Sequence, residues 1–372
     1  GSNICNLIAL GSRARIRQPV LACRKSSLSP APSQPAIKGA AGRLRQATRG
    51  GEMVQAPLHT SFGPAATAAE VALLSDLSGK TAIVTGGSSG LGLQTVKALS
   101  ARGATVCVPA LDISPARMAL DGIERVEIYP LDLTDEASIR SFSQAFLEHR
   151  KRLDLLVLNA GVMARPLFRD AQGREGHMSI NHLGHFRLTT SLWPVLRATG
   201  RSRVVVMSSR GHHMSDINFD DLDFERSVYD KWVAYGRSKT ANALFAVALD
   251  ARGKEHGIRS YSVHPGMIFT PGISHLSRAE FDAFGALAPD GSPIIDPARD
   301  MKTVPQGAAT TVWCATAPEL EEVGGVYCEN CDIAAVSPDA PFGVRPYAID
   351  RESAERLWRE SVTLTGLDVA AE

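Results

Sequence analysis

The sequence predicts an α/β fold: a single parallel β-sheet, doubly wound, with helices on both faces. Three observations predict it. From Lys80 onward, short apolar runs such as Thr81–Val84 alternate with helix-length stretches. A glycine-rich turn, Thr85 to Gly92, sits between the first such run and the first helix. Further motifs, Asn159-Ala160-Gly161, Ser208-Ser209 and His264-Pro265-Gly266, fall just after later strands. Ligands of such sheets bind beyond the carboxyl ends of the strands.

The elements follow in order. Thr81–Val84 reads as a buried strand. In the turn after it, Gly86 and Gly90 permit a tight bend, and Gly92 permits close packing of helix on strand. Backbone N–H groups of Ser88, Ser89, Gly90 and Leu91 can then approach a pyrophosphate at the positive end of a helix expected over 93–102. Alone, this pattern also fits a plain βα turn. The second strand, 104–109, runs into Leu111 and Asp112. The third, 126–129, leads to Asp132 and Leu133, where an acid can hold an adenine amino group. A helix over 135–150 and a strand over 153–158 deliver Asn159, Ala160 and Gly161. One long helix is expected over 175–196, carrying Asn181. The strand 202–207 ends in Ser208-Ser209-Arg210.

The chemistry centres on Tyr235 and Lys239 at the start of a helical run over 235–253. Residues four apart share a helix face. A neighbouring ammonium favours phenolate and lowers a tyrosine pKa from its usual value near 10. Such a pair can move a proton to or from an alcohol oxygen. By itself Tyr-x-x-x-Lys is common on helices; its companions at the strand ends give it weight.

Composition sets limits. Of 372 residues, 44% are hydrophobic, enough for a sizeable core. Nine of the 40 Lys and Arg and one of the 39 Asp and Glu lie in residues 1–52, which leaves the body a net charge of −7. An acidic body without a basic patch argues against nucleic-acid binding. Six scattered Cys fit reduced thiols and a cytoplasmic setting. No apolar run approaches the ~20 residues of a membrane span, so no membrane anchor is expected.

Residues 1–52 show no packable pattern. They read either as an organellar transit peptide or as sequence upstream of a native start at Met53, and the second reading is favoured. Residues 53–78 form a lead-in, 79–366 the domain, 267–303 a substrate lobe within it, and 367–372 a tail. Cys328 and Cys331 have half the spacing of a zinc site, but no second pair follows, so no metal is expected. His212-His213 reads as turn polars, and Asp220, Asp221 and Asp223 as a solvated acidic loop.

Together these motifs resemble the short-chain dehydrogenase/reductase family, a Rossmann-type fold. The match runs through Thr85, Gly86, Gly90 and Gly92, then Asn159-Ala160-Gly161, then Pro265, Gly266 and Thr270. Within the family the chain is similar to the retinol-dehydrogenase and WW-domain-oxidoreductase branch. That likeness rests on Asn181-His182-Leu183-Gly184-His185-Phe186, on 234–242 and on Glu355-Arg356-Leu357-Trp358. The resemblance implies Asn181, Ser209, Tyr235 and Lys239 as the catalytic set. It implies Pro265, Gly266 and Thr270 as the nicotinamide loop, with Tyr235 and Lys239 also touching the dinucleotide. It implies a small-molecule alcohol or carbonyl substrate and allows a homodimer through the helices carrying Asn181 and Tyr235. NAD(P)(H) is the implied cofactor. Leu111 stands where relatives place a phosphate-clasping Arg, and Asp112 would repel a 2′-phosphate, so the balance leans to NAD(H). Two alternatives stay open: a light-dependent reductase of a tetrapyrrole double bond, and a non-catalytic dinucleotide-binding protein.

Overall fold

In the computed structural model, residues 48–49, 52–53, 55–273 and 275–369 are described. Eight strands form one sheet: β1 Thr81–Val84, β2 Thr105–Ala110, β3 Val126–Pro130, β4 Leu155–Leu158, β5 Ser202–Met207, β6 Ile258–His264, β7 Val326–Glu329 and β8 Asp332–Ile333. Their order is β8-β7-β6-β5-β4-β1-β2-β3, parallel except for the final β7–β8 hairpin. The order reverses between β1 and β4, and the glycine turn and the Asn159 loop emerge at that point. Residues buried on both faces explain the continuous Val, Ile and Leu runs of β1, β4 and β5.

Among the described residues the helices of seven residues or more are α1 Gly90–Ala101, α2 Ile113–Leu120, α3 Glu136–His149, α4 Gly184–Ser191, α5 Trp193–Thr199, α6 Lys231–Gly253, α7 Ala309–Thr316 and α8 Arg351–Thr365. Several differ from the sequence expectation. Helix α1 begins three residues earlier, at Gly90, so the glycine turn supplies the helix's own first turn. Helix α2 was not anticipated. Its signal was Asp112, whose carboxylate accepts from Ser114 N at 3.1 Å and caps the helix. The single helix expected over 175–196 is three pieces. Met178–Leu183 is a π-helical turn, α4 follows, and Pro194 opens α5 after a break at Leu192.

Residues 55–78 are more than a lead-in. The Gln55 side chain bonds the backbone of Tyr327 and Ala334, and Asp332 accepts from Leu58 N at 2.7 Å and His59 N at 2.9 Å. This strap lies along the β7–β8 edge and blunts it. Leu58, Val71 and Leu77 then join the core that covers one sheet face with Trp313 of α7. The opposite face carries Phe146, Phe186, Phe245 and Trp358. Trp358 lies 4.9 Å from Phe186 and 6.0 Å from Phe245, centroid to centroid. The chain's own α8 therefore packs across α4 and α6.

One minor reading is corrected. Asp221 and Asp223 are buried, not solvated. Asp221 accepts from the backbone of Glu225, Arg226 and Ser227, and Asp223 pairs with Arg174 at 2.8 Å. Cys328 and Cys331 flank a hairpin turn in which Asn330 and Cys331 take φ of 54° and 59°. Among the described residues, no three His, Cys, Asp or Glu are grouped to hold a metal. No described helix is long and apolar enough to cross a membrane.

Candidate active site

The glycine turn, the Asn159 loop, Ser209 and the Pro265–Gly266 loop follow strand ends, while Asn181 sits on the π-turn and Tyr235 and Lys239 on α6. At the β1 end, Gly86 and Gly90 take φ of +63° and +49°, which side chains rarely adopt. A Cβ on Gly92 would overlap the Gly86 carbonyl oxygen, so only glycine lets α1 start there. Ser89 is the helix N-cap, yet its side chain makes no capping bond. The first N–H groups of α1 thus face the turn. This cradle fits an anion such as a pyrophosphate.

The Asn159 loop locks that turn. Asn159 Nδ2 donates to Thr85 O at 2.9 Å, and the Thr85 hydroxyl accepts from Asn159 N and Ala160 N at 2.9 Å each. The same hydroxyl reaches His185 Nε2 at 2.9 Å, and His185 Nδ1 reaches the Asn181 carbonyl at 3.1 Å. Burial drives the His185 pKa down to about 4, so the ring is neutral. With both Thr85 lone pairs taken, the Thr85 O–H donates to Nε2 and Nδ1–H donates to Asn181.

The π-turn points the Asn181 side chain between two elements. Its Oδ1 accepts from Val162 N at 2.8 Å, and its Nδ2 donates to Val162 O at 3.0 Å and Ser238 Oγ at 2.9 Å. Asn181 therefore fixes the Asn159 loop to α6. It does not line the main cavity, and its carbonyl already accepts from His185.

Ser209, Tyr235 and Lys239 come together at the floor of the cleft. The Ser209 hydroxyl bonds the Tyr235 phenol. Lys239 Nζ lies 5.7 Å from the Tyr235 ring centre and donates to Met207 O at 2.9 Å. Tyr235 is 7% exposed and Lys239 is 4% exposed. Burial dominates both. It drives the Tyr235 phenol up to about 12, against a smaller opposing effect from the Ser209 hydrogen bond, and the Lys239 ammonium down to about 7. The expected lowering of the phenol by Lys239 is not found: burial dominates, and Tyr235 holds its proton at neutral pH.

These groups line one cavity of about 590 Å³. It also takes in Gly86, Ser89, Gly90 and Leu91, the loop Asn159, Ala160 and Gly161, and Pro265, Gly266 and Thr270. A Cβ on Gly90 would lie 3.4 Å from Thr270 Cγ2, so the two loops face each other across the cradle. The lobe beyond Met267 supplies an apolar wall of Ile268, Phe269, Ile273, Leu276, Phe281 and Phe284.

Ser88, Gly92, Leu111, Asp112, Asp132 and Leu133 lie outside that cavity. Leu111 is 76% exposed at the end of β2. Asp132 accepts from Thr134 N at 2.8 Å and from its hydroxyl at 2.7 Å, holding its own turn. Leu133 is core, packed where a Cβ on Gly184 would strike it. Sequence reasoning missed Gly211. A Cβ there would stand 2.5 Å from Tyr235 Cε1 and 3.4 Å from Ser209 Oγ. A glycine two residues after a strand-end serine carries no distinguishing signal. His212 and His213 bond backbone carbonyls of Ser209 and Gly343, which gives both a structural partner.

Residues 80–280 match the short chain dehydrogenase family. The chain belongs to that family. This short-chain dehydrogenase is 42% identical over 293 residues to a "probable oxidoreductase" of Streptomyces antibioticus, covering 76% of this chain and 96% of that protein. It is 37% identical over 297 residues to human retinol dehydrogenase 12, covering 78% of this chain and 88% of that protein. Among solved structures, an uncharacterised protein of Mycobacterium paratuberculosis superposes with a TM-score of 0.63 at 30% identity, over 82% of this chain and 99% of that one. The short-chain dehydrogenase is an oxidoreductase with a Rossmann-like sheet, and its family uses NAD(P)(H) and small substrates.

The tight packing at Gly211 makes a sharp test. Gly211→Ala should displace the Tyr235 ring and cut turnover by roughly a hundredfold, the scale of an ångström misplacement, while circular dichroism stays unchanged. Unchanged turnover would show that the ring has room to move.

Lys239 offers a second test. An unfolded lysine titrates near ~10.4. With the folded value depressed to about 7, the unfolded chain holds more protons between those values, and this group makes stability rise with pH there. Below about 7 the full cost of burying the charge is present. Lys239→Met should therefore melt above the parent at about pH 6, with a margin that shrinks toward about pH 10. A lower melting temperature at about pH 6 would mean that the bond to Met207 O outweighs desolvation.

Proposed function

We propose that the chain interconverts an alcohol and a carbonyl on a bulky apolar molecule by hydride transfer with a nicotinamide dinucleotide. The observation that carries this reading is the meeting of Ser209, Tyr235 and Lys239 at the floor of a cavity with an apolar wall. The likeness to human retinol dehydrogenase 12 supports an apolar substrate.

A bound nicotinamide supplies or accepts the hydride. The glycine turn and α1 would hold the pyrophosphate, and Pro265, Gly266 and Thr270 the nicotinamide end. Ser209 would donate to the substrate oxygen and fix its position. Tyr235, protonated at neutral pH, would give its Oη proton to that oxygen in reduction and take it back in oxidation. The Lys239 ammonium would stabilise the phenolate left behind. Asn181 would hold the Asn159 loop and α6 in register, with His185 fixing its carbonyl. The apolar wall would exclude water from the reacting atoms.

For the dinucleotide we infer a preference for NAD(H). Asp112 serves first as the cap of α2, so the support for this preference shifts to Leu111, an exposed residue without charge at the end of β2.

Two measurements check these readings. Tyr235→Phe should abolish turnover of a panel of aromatic and long-chain carbonyls while dinucleotide affinity, read by nicotinamide fluorescence, changes less than about threefold. Near-parental turnover would remove Tyr235 from the mechanism.

Leu111→Arg with Asp112→Ser keeps a good helix cap and adds a guanidinium. It should shift the ratio of specificity constants toward NADP(H) by at least about tenfold, the worth of one charge-assisted contact. A parent that already favours NADP(H) would overturn the NAD(H) reading.

A further inference from the structure

In the wall of the cavity, which Arg210, His264 and Asp300 all line, lies a buried polar node that the proposed reaction does not use. Asp300 is 2% exposed, and its Oδ2 accepts from His264 Nε2 at 2.7 Å. The same oxygen pairs with Arg210 Nη2 at 2.6 Å, and Lys302 Nζ stands 3.8 Å from Oδ1. Arg210 N donates to His264 Nδ1 at 2.9 Å. That bond requires Nδ1 to be bare, so the ring carries its proton on Nε2, facing Asp300.

The node joins three loops at the carboxyl edge of the sheet. Arg210 follows Ser209. His264 ends β6 and precedes the Pro265–Gly266 loop. Lys302 Nζ donates to Asn330 Oδ1 at 2.6 Å, in the β7–β8 turn. The backbone closes the same point. Met267 N donates to Asp300 O at 2.8 Å, and Lys302 N donates to Met267 O at 2.9 Å. Residues 268–299 thus form a loop with a closed neck, and this loop carries the apolar wall of the cavity. Asp300 itself has φ of +70°, a conformation that Asp tolerates better than most residues. A Cβ on Gly266 would lie 3.2 Å from Asp300 Oδ1, so the neck is packed tightly against the cofactor-side loop.

We infer that Asp300 is a positioning residue: it completes the hold on the His264 tautomer that Arg210 N begins, and registers the 268–299 lobe against the loop that carries Ser209. The carboxylate ties the lobe's neck to the Ser209 side of the cleft through Arg210 and His264. Its loss frees the lobe without opening the sheet, because the strands keep their own ladders. The part of this inference that concerns turnover rests on the reading of Ser209 and Tyr235 as the proton-handling pair.

The test uses the full chain with Asp300→Ala and Asp300→Asn. In the parent, two-bond 1H–15N spectra should show His264 protonated on Nε2 alone. Asp300→Ala should give a mixture of tautomers and faster amide exchange confined to 268–299. With a bulky apolar carbonyl its KM should rise roughly tenfold, the worth of one charge-assisted hydrogen bond, and by more than kcat falls. Asparagine keeps a carbonyl oxygen for Nε2–H but loses the charge, so it should retain the tautomer and recover part of the KM. An unchanged tautomer and unchanged exchange in the alanine variant overturn the inference. Faster exchange throughout β5 and β6 also overturns it, since Asp300 would then be a general stabiliser. If no carbonyl is turned over by the parent, the functional reading fails, and the spectra and exchange still decide the role of Asp300.

Discussion

A lysine whose ammonium is withdrawn from water must be given an acceptor, and Lys239 finds one in the Met207 carbonyl at the end of β5. Much of the site follows from that placement. The bond sets α6 against the strand whose next residues are Ser208 and Ser209. Ser208 Oγ in turn donates to Lys239 O at 2.7 Å, and Asn242 Nδ2 donates to Met207 O at 2.9 Å. Helix and strand end are stitched at three points within one turn. The Tyr235 phenol is carried into reach of Ser209 as a consequence. Desolvation moves the two titrating groups apart, the ammonium down to about 7 and the phenol up to about 12. Both ionised forms are destabilised here, so the site stores a cost that activity can use.

A second layer of buried polar groups holds the first in place. Thr85, His185 and Asn181 form a continuous chain of hydrogen bonds from the base of the glycine turn to the π-turn and on to α6. Every donor and acceptor used in it is matched, which is the condition under which a buried network rigidifies rather than destabilises. Asp300 does the corresponding work on the other flank, between β5, β6 and the substrate lobe. The apolar wall is thereby mounted on a loop whose two ends are fixed.

Sequence pattern carried the sheet well where burial is two-sided. The runs of β1, β4 and β5 have no other good home than the centre of a parallel sheet. The candidate pair was also legible, because Tyr235 and Lys239 share a helix face by spacing alone. The cap made by Asp112 was not legible for a local reason. An aspartate after a strand can face a ribose or cap the next helix, and the two are identical in one dimension. Asp221 and Asp223 misled similarly, since acidic clusters read as solvated until backbone N–H groups are found around them. Helix 175–196 was overextended because a π-turn and a proline restart leave the apolar period nearly intact.

By itself, the sequence determined the alternation of strand and helix, the glycine turn, and the order in which Ser209, Tyr235 and Lys239 appear. These are set by local chemistry: periodicity, backbone freedom and side-chain type. Tertiary structure decided which of those groups lose water, which carbonyl receives the Lys239 ammonium, and which neighbours leave no room, as Gly211 does beneath Tyr235. It also decided that Asp300, remote in sequence from both, stands between His264 and Arg210. Desolvation, close approach and pairing across long separations depend on what the folded chain brings next to each residue, and no window of sequence contains that information.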